Sequence, residues 1–176
     1  MKGRLFLTLI ALLTFSSQVI PDSQVRESQI ELVASLITKL QTNVAPERAA
    51  IISESVVSTC LKYQLDPKIF VAIIDTESDF RQGMVSYTGD LSLVQINPAI
   101  WNREFARMKH ELIDAKKLQV SESYAIDRMG EILSILKTRY SSEDGKWFAR
   151  YHSRTKKFKN LYHSKVESRL NLLAYL

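Results

Sequence analysis

Asp66-Pro67-Lys68-Ile69-Phe70-Val71-Ala72-Ile73-Ile74-Asp75-Thr76-Glu77-Ser78-Asp79-Phe80 is the stretch whose reading decides the fold. Asp66 before Pro67 is a strong helix start. The Asp side chain caps free N–H groups, and proline suits the first helical position, where its missing N–H costs nothing. The apolar run that follows predicts a helix to about Glu77. Phe70, Ile73 and Ile74 lie seven, four and three residues before Glu77 and share a face with it. A carboxyl group at the end of such a stripe is poorly solvated, which disfavours its charged form and raises its pKa. An acid that keeps its proton near neutral pH suits protonation of the leaving oxygen of a sugar–sugar bond. A Glu near a helix end is usually solvated, or paired with a backbone N–H or a cation, so this segment alone does not decide for catalysis.

Outward from this helix the chain reads as helical almost throughout. Ile30, Val33, Leu36, Ile37 and Leu40 predict an amphipathic helix over 23–41 that packs on the domain or on a partner. Pro46 opens a helix over 46–63, with Ile51, Ile52, Ser55, Val56, Thr59, Cys60 and Tyr63 on one face. Residues 81–90 hold two of the five glycines and read as a long loop. Leu91-Ser-Leu-Val-Gln-Ile96 is either a short strand or a helical turn, since periodicity cannot decide over so few residues. Helices are expected at 99–110, 121–140 and 146–151, and over 160–176 with Leu161, Val166, Leu170 and Leu173 inward. Few glycines and prolines and many helix formers point to an all-α or mainly α fold, a single globular domain of packed helices.

The 176 residues suffice for one hydrophobic core. Lys2 and Arg4 precede the apolar run Leu5 to Phe15, so residues 1–20 read as a signal peptide or an uncleaved N-terminal membrane anchor. The expected location is exported, periplasmic or cell-envelope. Residues 21–45 then carry the N-terminal amphipathic helix, a possible contact for an envelope protein partner, and 46–176 the main domain. Cys60 is the single cysteine, read as a small buried residue, and excludes an internal disulfide. The three histidines, at 110, 152 and 163, are scattered, and no metal or cofactor is expected. Removing Lys2 and Arg4 lowers the formal net charge of +5 by two, a modest excess that suits an anionic envelope polymer and does not imply nucleic acid. The basic run over 154–159 is read as a solvated face.

Three segments combine in order: Glu77-Ser78-Asp79-Phe80, then Gly89-Asp-Leu-Ser-Leu-Val-Gln95-Ile96, then Trp147-Phe-Ala-Arg-Tyr151-His152. Together they resemble the soluble lytic transglycosylase family, whose core is lysozyme-like and whose patterns are Glu-Ser-x-Phe, Gly-Leu-Met-Gln-Ile and Ala-Tyr-Asn. The resemblance covers roughly residues 50–165. It implies a cleft enzyme acting on peptidoglycan glycan strands without a cofactor, as a monomer, with Glu77 as catalytic acid/base. Ser78, Ser92, Val94, Gln95, Tyr151 and His152 fall on its substrate-binding positions. Ser92 stands where the family has Gly, Val94 where it has Met, His152 where it has Asn, and Asp90 where a small residue is usual.

A common glycoside hydrolase needs two carboxylates across the scissile bond. Asp75 and Asp79 lie two residues either side of Glu77 and point away from it on a helix, which leaves Asp90 as the only loop candidate. The family chemistry needs one Glu: it protonates the bond between N-acetylmuramic acid (MurNAc) and N-acetylglucosamine (GlcNAc), then draws the proton from the muramoyl C6 hydroxyl, leaving a 1,6-anhydro end. Alternatives are a lysozyme-type muramidase using Asp90, a catalytically inactive wall-binding protein on the same fold, and a helical interaction protein anchored by residues 5–20.

Overall fold

The computed structural model describes residues 22–174. Seven α-helices follow in order: α1 Asp22–Leu40, α2 Pro46–Tyr63, α3 Pro67–Ser78, α4 Pro98–Met108, α5 Ala115–Val120, α6 Glu122–Tyr140 and α7 Lys156–Leu173. A 3-10 turn, Trp147–Tyr151, precedes α7. The mainly helical expectation holds. The 91–96 stretch is neither strand nor helix. It forms a tight turn with isolated antiparallel bridges, Val85 to Leu91 and Leu91 to Ile96.

α3 is the axle of the fold. Asp66 caps it by accepting from the Lys68 N–H, with Pro67 in the first turn, as its sequence requires. Phe70, Val71, Ala72, Ile73 and Ile74 are all fully buried, so the helix is apolar on every side. α1, α2 and α7 surround it. Burying its four larger apolar side chains stabilises the fold by about 1.5–3 kcal/mol each. Asp75 is also buried, and it points away from Glu77. It accepts from Gln41 at the end of α1 (2.8 Å) and pairs with Arg169 of α7, so one carboxylate clamps three helices.

α1 packs its Val33, Leu36 and Ile37 into the same core as α2 and α3, while Leu32 stays exposed. Three expected faces shift. On α2 the buried set is Ala49, Ile52, Ser53, Val56, Val57, Thr59 and Cys60, and Ile51 is outside. On α7 the inward residue is Tyr162, not Leu161, because Tyr162 and Val166 keep a four-residue spacing in phase with Leu173. In the basic run, Lys159 is buried and bonds Asp144 (2.6 Å), while Arg154 bonds Glu104. Arg154, Lys156 and Lys157 are exposed as expected, and Lys159 departs from the solvated face. α5, which the apolar pattern leaves unmarked, starts at Asp114, whose side chain accepts from the N–H groups of Lys116 and Lys117.

α6 crosses α2 at Gly130. A Cβ there would lie 2.2 Å from Thr59 Cγ2 and 2.8 Å from Tyr63 Cδ2, so hydrogen is the only substituent this crossing admits. Gly130→Ala gains about 1 kcal/mol in helix propensity but overpacks the crossing by more. The expected net result is a loss of about 1–3 kcal/mol, read as a lower denaturant midpoint with unchanged slope.

Candidate active site

The backbone turns sharply just past Glu77. Asp79 and Phe80 both adopt positive φ, at 52° and 58°, which costs non-glycine residues on the order of 1–3 kcal/mol each. Phe80 is held there by full burial and by Arg48, whose Nη2 donates to the Phe80 carbonyl (2.6 Å). The bend leaves Glu77 at the last turn of α3, facing a cleft of about 920 Å³. Asp90, Gln95, Trp101, Tyr151 and His152 also line this cleft. A smaller depression between α2 and α6, about 410 Å³, is lined by Lys62, Tyr63, Gln64 and Lys137 and offers no acid.

Glu77 is half-buried, and its carboxyl pKa is pushed up to about 7. Desolvation by burial is the largest cause, and the negative charge of Asp90 adds to it. The Tyr162 hydrogen bond and Lys165 oppose the rise. The C-terminal end of a helix is also a poor place for an anion. Tyr162 Oη donates to Glu77 Oε1 at 2.6 Å. Burial first, then Glu77 itself, hold the Tyr162 hydroxyl well above its usual range, so it remains a donor. With Oε1 occupied as acceptor, the proton of neutral Glu77 sits on Oε2, free for a substrate. Nothing in the three-segment pattern marks Tyr162. The four-residue step from Tyr162 to Val166 on α7 is the signal that points to it.

Asp90 has the opposite environment. Burial alone would raise its pKa, but hydrogen bonds from Thr88, Ser86 and Asn97 outweigh this and hold it below the usual carboxylate range. Thr88 Oγ1 and Ser86 Oγ reach Oδ2 at 2.6 and 2.7 Å, and Asn97 Nδ2 reaches Oδ1 at 3.0 Å. Gly89, at φ 88°, makes the turn that closes this cage. The cleft thus holds one acid that keeps its proton and one that gives it up, the pairing of environments that separates acid from base in carboxylate enzymes.

Of the other expected site residues, Gln95, Tyr151 and His152 face the cleft. Gln95 also ties the loop, its Nε2 donating to the Ser92 carbonyl at 2.8 Å. Tyr151 Oη donates to the Val94 carbonyl at 2.7 Å, which joins the 3-10 turn to the Gln95 loop. Burial and Glu77 keep Tyr151 protonated. His152 stacks flat on Tyr162, centroids 4.7 Å apart at 3°, and burial lowers its pKa. It positions the tyrosine that holds Glu77. Ser78, Ser92 and Val94, expected among the substrate-binding residues, lie buried behind the cleft wall. Ser78 Oγ donates to the Leu93 carbonyl at 2.6 Å and fastens the Gln95 loop to α3. Ser92 has φ 67°, the left-handed region that explains why glycine suits this position. Val94 fills the core beneath the loop.

A family model described as Transglycosylase SLT domain matches residues 56–162, from the middle of α2 to Tyr162. Among curated proteins none matches the chain.

The fold pushes the Glu77 carboxyl pKa from its ordinary 4.5 up to about 7. Its favourable contribution is complete below pH 4.5 and lost as pH rises through 7. Glu77→Gln carries no such loss. The variant is therefore expected to gain on the wild type between these limits, by about 2–3 kcal/mol at pH 8.5 against little at pH 4, in denaturant titrations. Tyr162→Phe removes a donor that favours the Glu77 carboxylate. Its pH–rate profile should have an alkaline limb displaced upward, with turnover lower by one to two orders of magnitude, on the scale of one hydrogen bond to a charged group.

Proposed function

This chain belongs to the transglycosylase SLT domain family, and from that premise we propose that it cleaves the MurNAc–GlcNAc β-1,4 bond of peptidoglycan without water, leaving 1,6-anhydro-MurNAc ends. The observation that carries this reading is Glu77: a half-buried acid with a pKa of about 7, oriented through Oε1 by Tyr162, in a cleft of about 920 Å³. Neutral Glu77 donates the Oε2 proton to the glycosidic oxygen, and the C1–O bond breaks with its electrons leaving on GlcNAc O4. The positive charge at C1 is carried by the ring oxygen and the substrate N-acetyl group, and the fixed negative charge of Asp90 favours it electrostatically. The Glu77 carboxylate then takes the proton of the C6 hydroxyl as that oxygen bonds C1. Acid and base are one group, and no atom of water enters. Attack within one sugar ring benefits from high effective molarity. The basic and apolar start at residues 2–15, outside the described residues, supports export to the envelope where this polymer lies.

A second reading has one observation in its favour. Asp90 is an ionised carboxylate in the same cleft, at a position where the family carries a small residue. In that reading it activates water, and the product has a reducing end.

Purified protein incubated with sacculi, with products resolved by mass, separates these. Transglycosylation yields muropeptides one water lighter than hydrolysis does. Glu77→Gln should lower release by at least about 10³-fold with the fold intact. Asp90→Asn should still give anhydro products, with the alkaline limb of the rate profile displaced downward because a charge that raises the Glu77 pKa is gone. Reducing-end products lost in Asp90→Asn would establish the hydrolase instead. Binding to sacculi with no soluble product from the wild type would establish a wall-binding protein.

A further inference from the structure

The cleft continues past the acid along one side of α4. Ile100, Arg103, Glu104 and Arg107 recur at three- and four-residue spacing, so one helical face lines it, and Arg154 joins from the segment after the 3-10 turn. Glu104 Oε1 accepts from Arg107 Nη1 and from Arg154 Nη2, both at 3.1 Å, and its Oε2 lies 3.6 Å from Arg139 Nη1. One carboxylate thus faces three guanidinium groups. Among the described residues no carboxylate pairs with Arg103. The side chains of Arg107 and Arg154 are 73% and 66% exposed, whereas that of Glu104 is 15% exposed. The anion is half-covered, and the cations stand further out at the cleft surface with N–H donors to spare.

We propose that this arginine cluster is the specificity arm of the cleft and binds carboxylates of the peptide stems carried by the glycan strand. The inference rests on the reading of the cleft as a peptidoglycan site and names the part of the polymer read there. Several like charges gathered around one half-buried anion repel one another, an arrangement that a solvated face of mixed charge avoids. What the arrangement provides is order: Glu104 draws guanidinium groups from α4 and from the 154 segment to one place before a ligand arrives, which lowers the entropy lost on binding. A guanidinium fork matches a carboxylate in two parallel hydrogen bonds. In a stem-bearing strand the muramoyl lactyl carboxyl is consumed in its amide to the peptide, so the free carboxylates belong to the stem.

The test is co-sedimentation of the full chain in the Glu77→Gln background, so that the polymer stays whole, with teichoic-acid-free sacculi. One batch is untreated, one has its peptide carboxyls converted to neutral amides by carbodiimide and ethanolamine, and one is stem-free glycan that retains lactyl carboxylates. Untreated sacculi should bind about fivefold to tenfold tighter than amidated ones, the scale of two exposed ion pairs. Arg103→Gln with Arg107→Gln should bring that ratio close to one, and Arg103→Lys with Arg107→Lys should keep only part of it, since lysine retains the charge but not the fork. Equal binding to untreated and amidated sacculi, or a ratio that survives the double Gln variant, overturns the proposal. Binding of stem-free glycan as tight as untreated sacculi also overturns it, because the sugar carboxylate would then be the one read. Sedimentation needs no turnover. A wild type that releases no anhydro fragments therefore overturns the catalytic reading alone, and loss of the carboxylate preference overturns this one alone.

Discussion

The hydrogen bond from Tyr162 to Glu77 is made where a helix buried on every side comes to an end, and the rest of the site depends on it. Burial of α3 keeps water from the Glu77 carboxyl and raises its pKa to about 7. Burial alone would leave an acid without orientation. The tyrosine supplies orientation, and it opposes the pKa rise just enough to keep the group titrating near neutrality. The bond in turn needs α7 in register beside α3. That register is held beside the acid, where Asp75 of the same last turns of α3 pairs with Arg169 of α7, and by the stacking of His152 on Tyr162 and of Phe148 on His163.

The second carboxylate shows how much the surroundings decide. Asp90 and Glu77 share one cleft, yet three polar donors ring Asp90 whereas burial desolvates Glu77, which receives one hydrogen bond from Tyr162. The donors come from one loop whose backbone passes through the left-handed region at Gly89, Ser92 and Gln95. Two of these three residues are not glycine, so the loop carries strain, which the burial of Leu93 and Val94 and the bonds from Ser78 and Tyr151 offset. Ser78, Ser92 and Val94 therefore serve the site from behind it, by setting the loop that presents Gln95 and Asp90.

Much of the fold was legible from residue type and spacing. Asp66-Pro67 started α3 where expected, Pro46 started α2, and the apolar stripe ending at Glu77 marked the acid. Errors fell where a one-residue change of phase swaps the faces of a helix. Leu161 and Tyr162 are both apolar enough to be inward, and hydropathy alone cannot choose between neighbours 100° apart. The 91–96 turn escaped because its shape comes from positive φ at non-glycine residues, which local pattern does not signal.

Local periodicity and capping in the sequence mark most of the helical segments and the acid at the desolvated end of α3. Only the tertiary structure decided that Tyr162 holds that acid, that Asp90 shares its cleft as an anion, and that Glu104 gathers arginines along the cleft wall. Each of these joins residues well separated along the chain, so no local spacing encodes it. They arise only when burial of α3 brings the Gln95 loop, α4, the 3-10 turn and α7 around one acid.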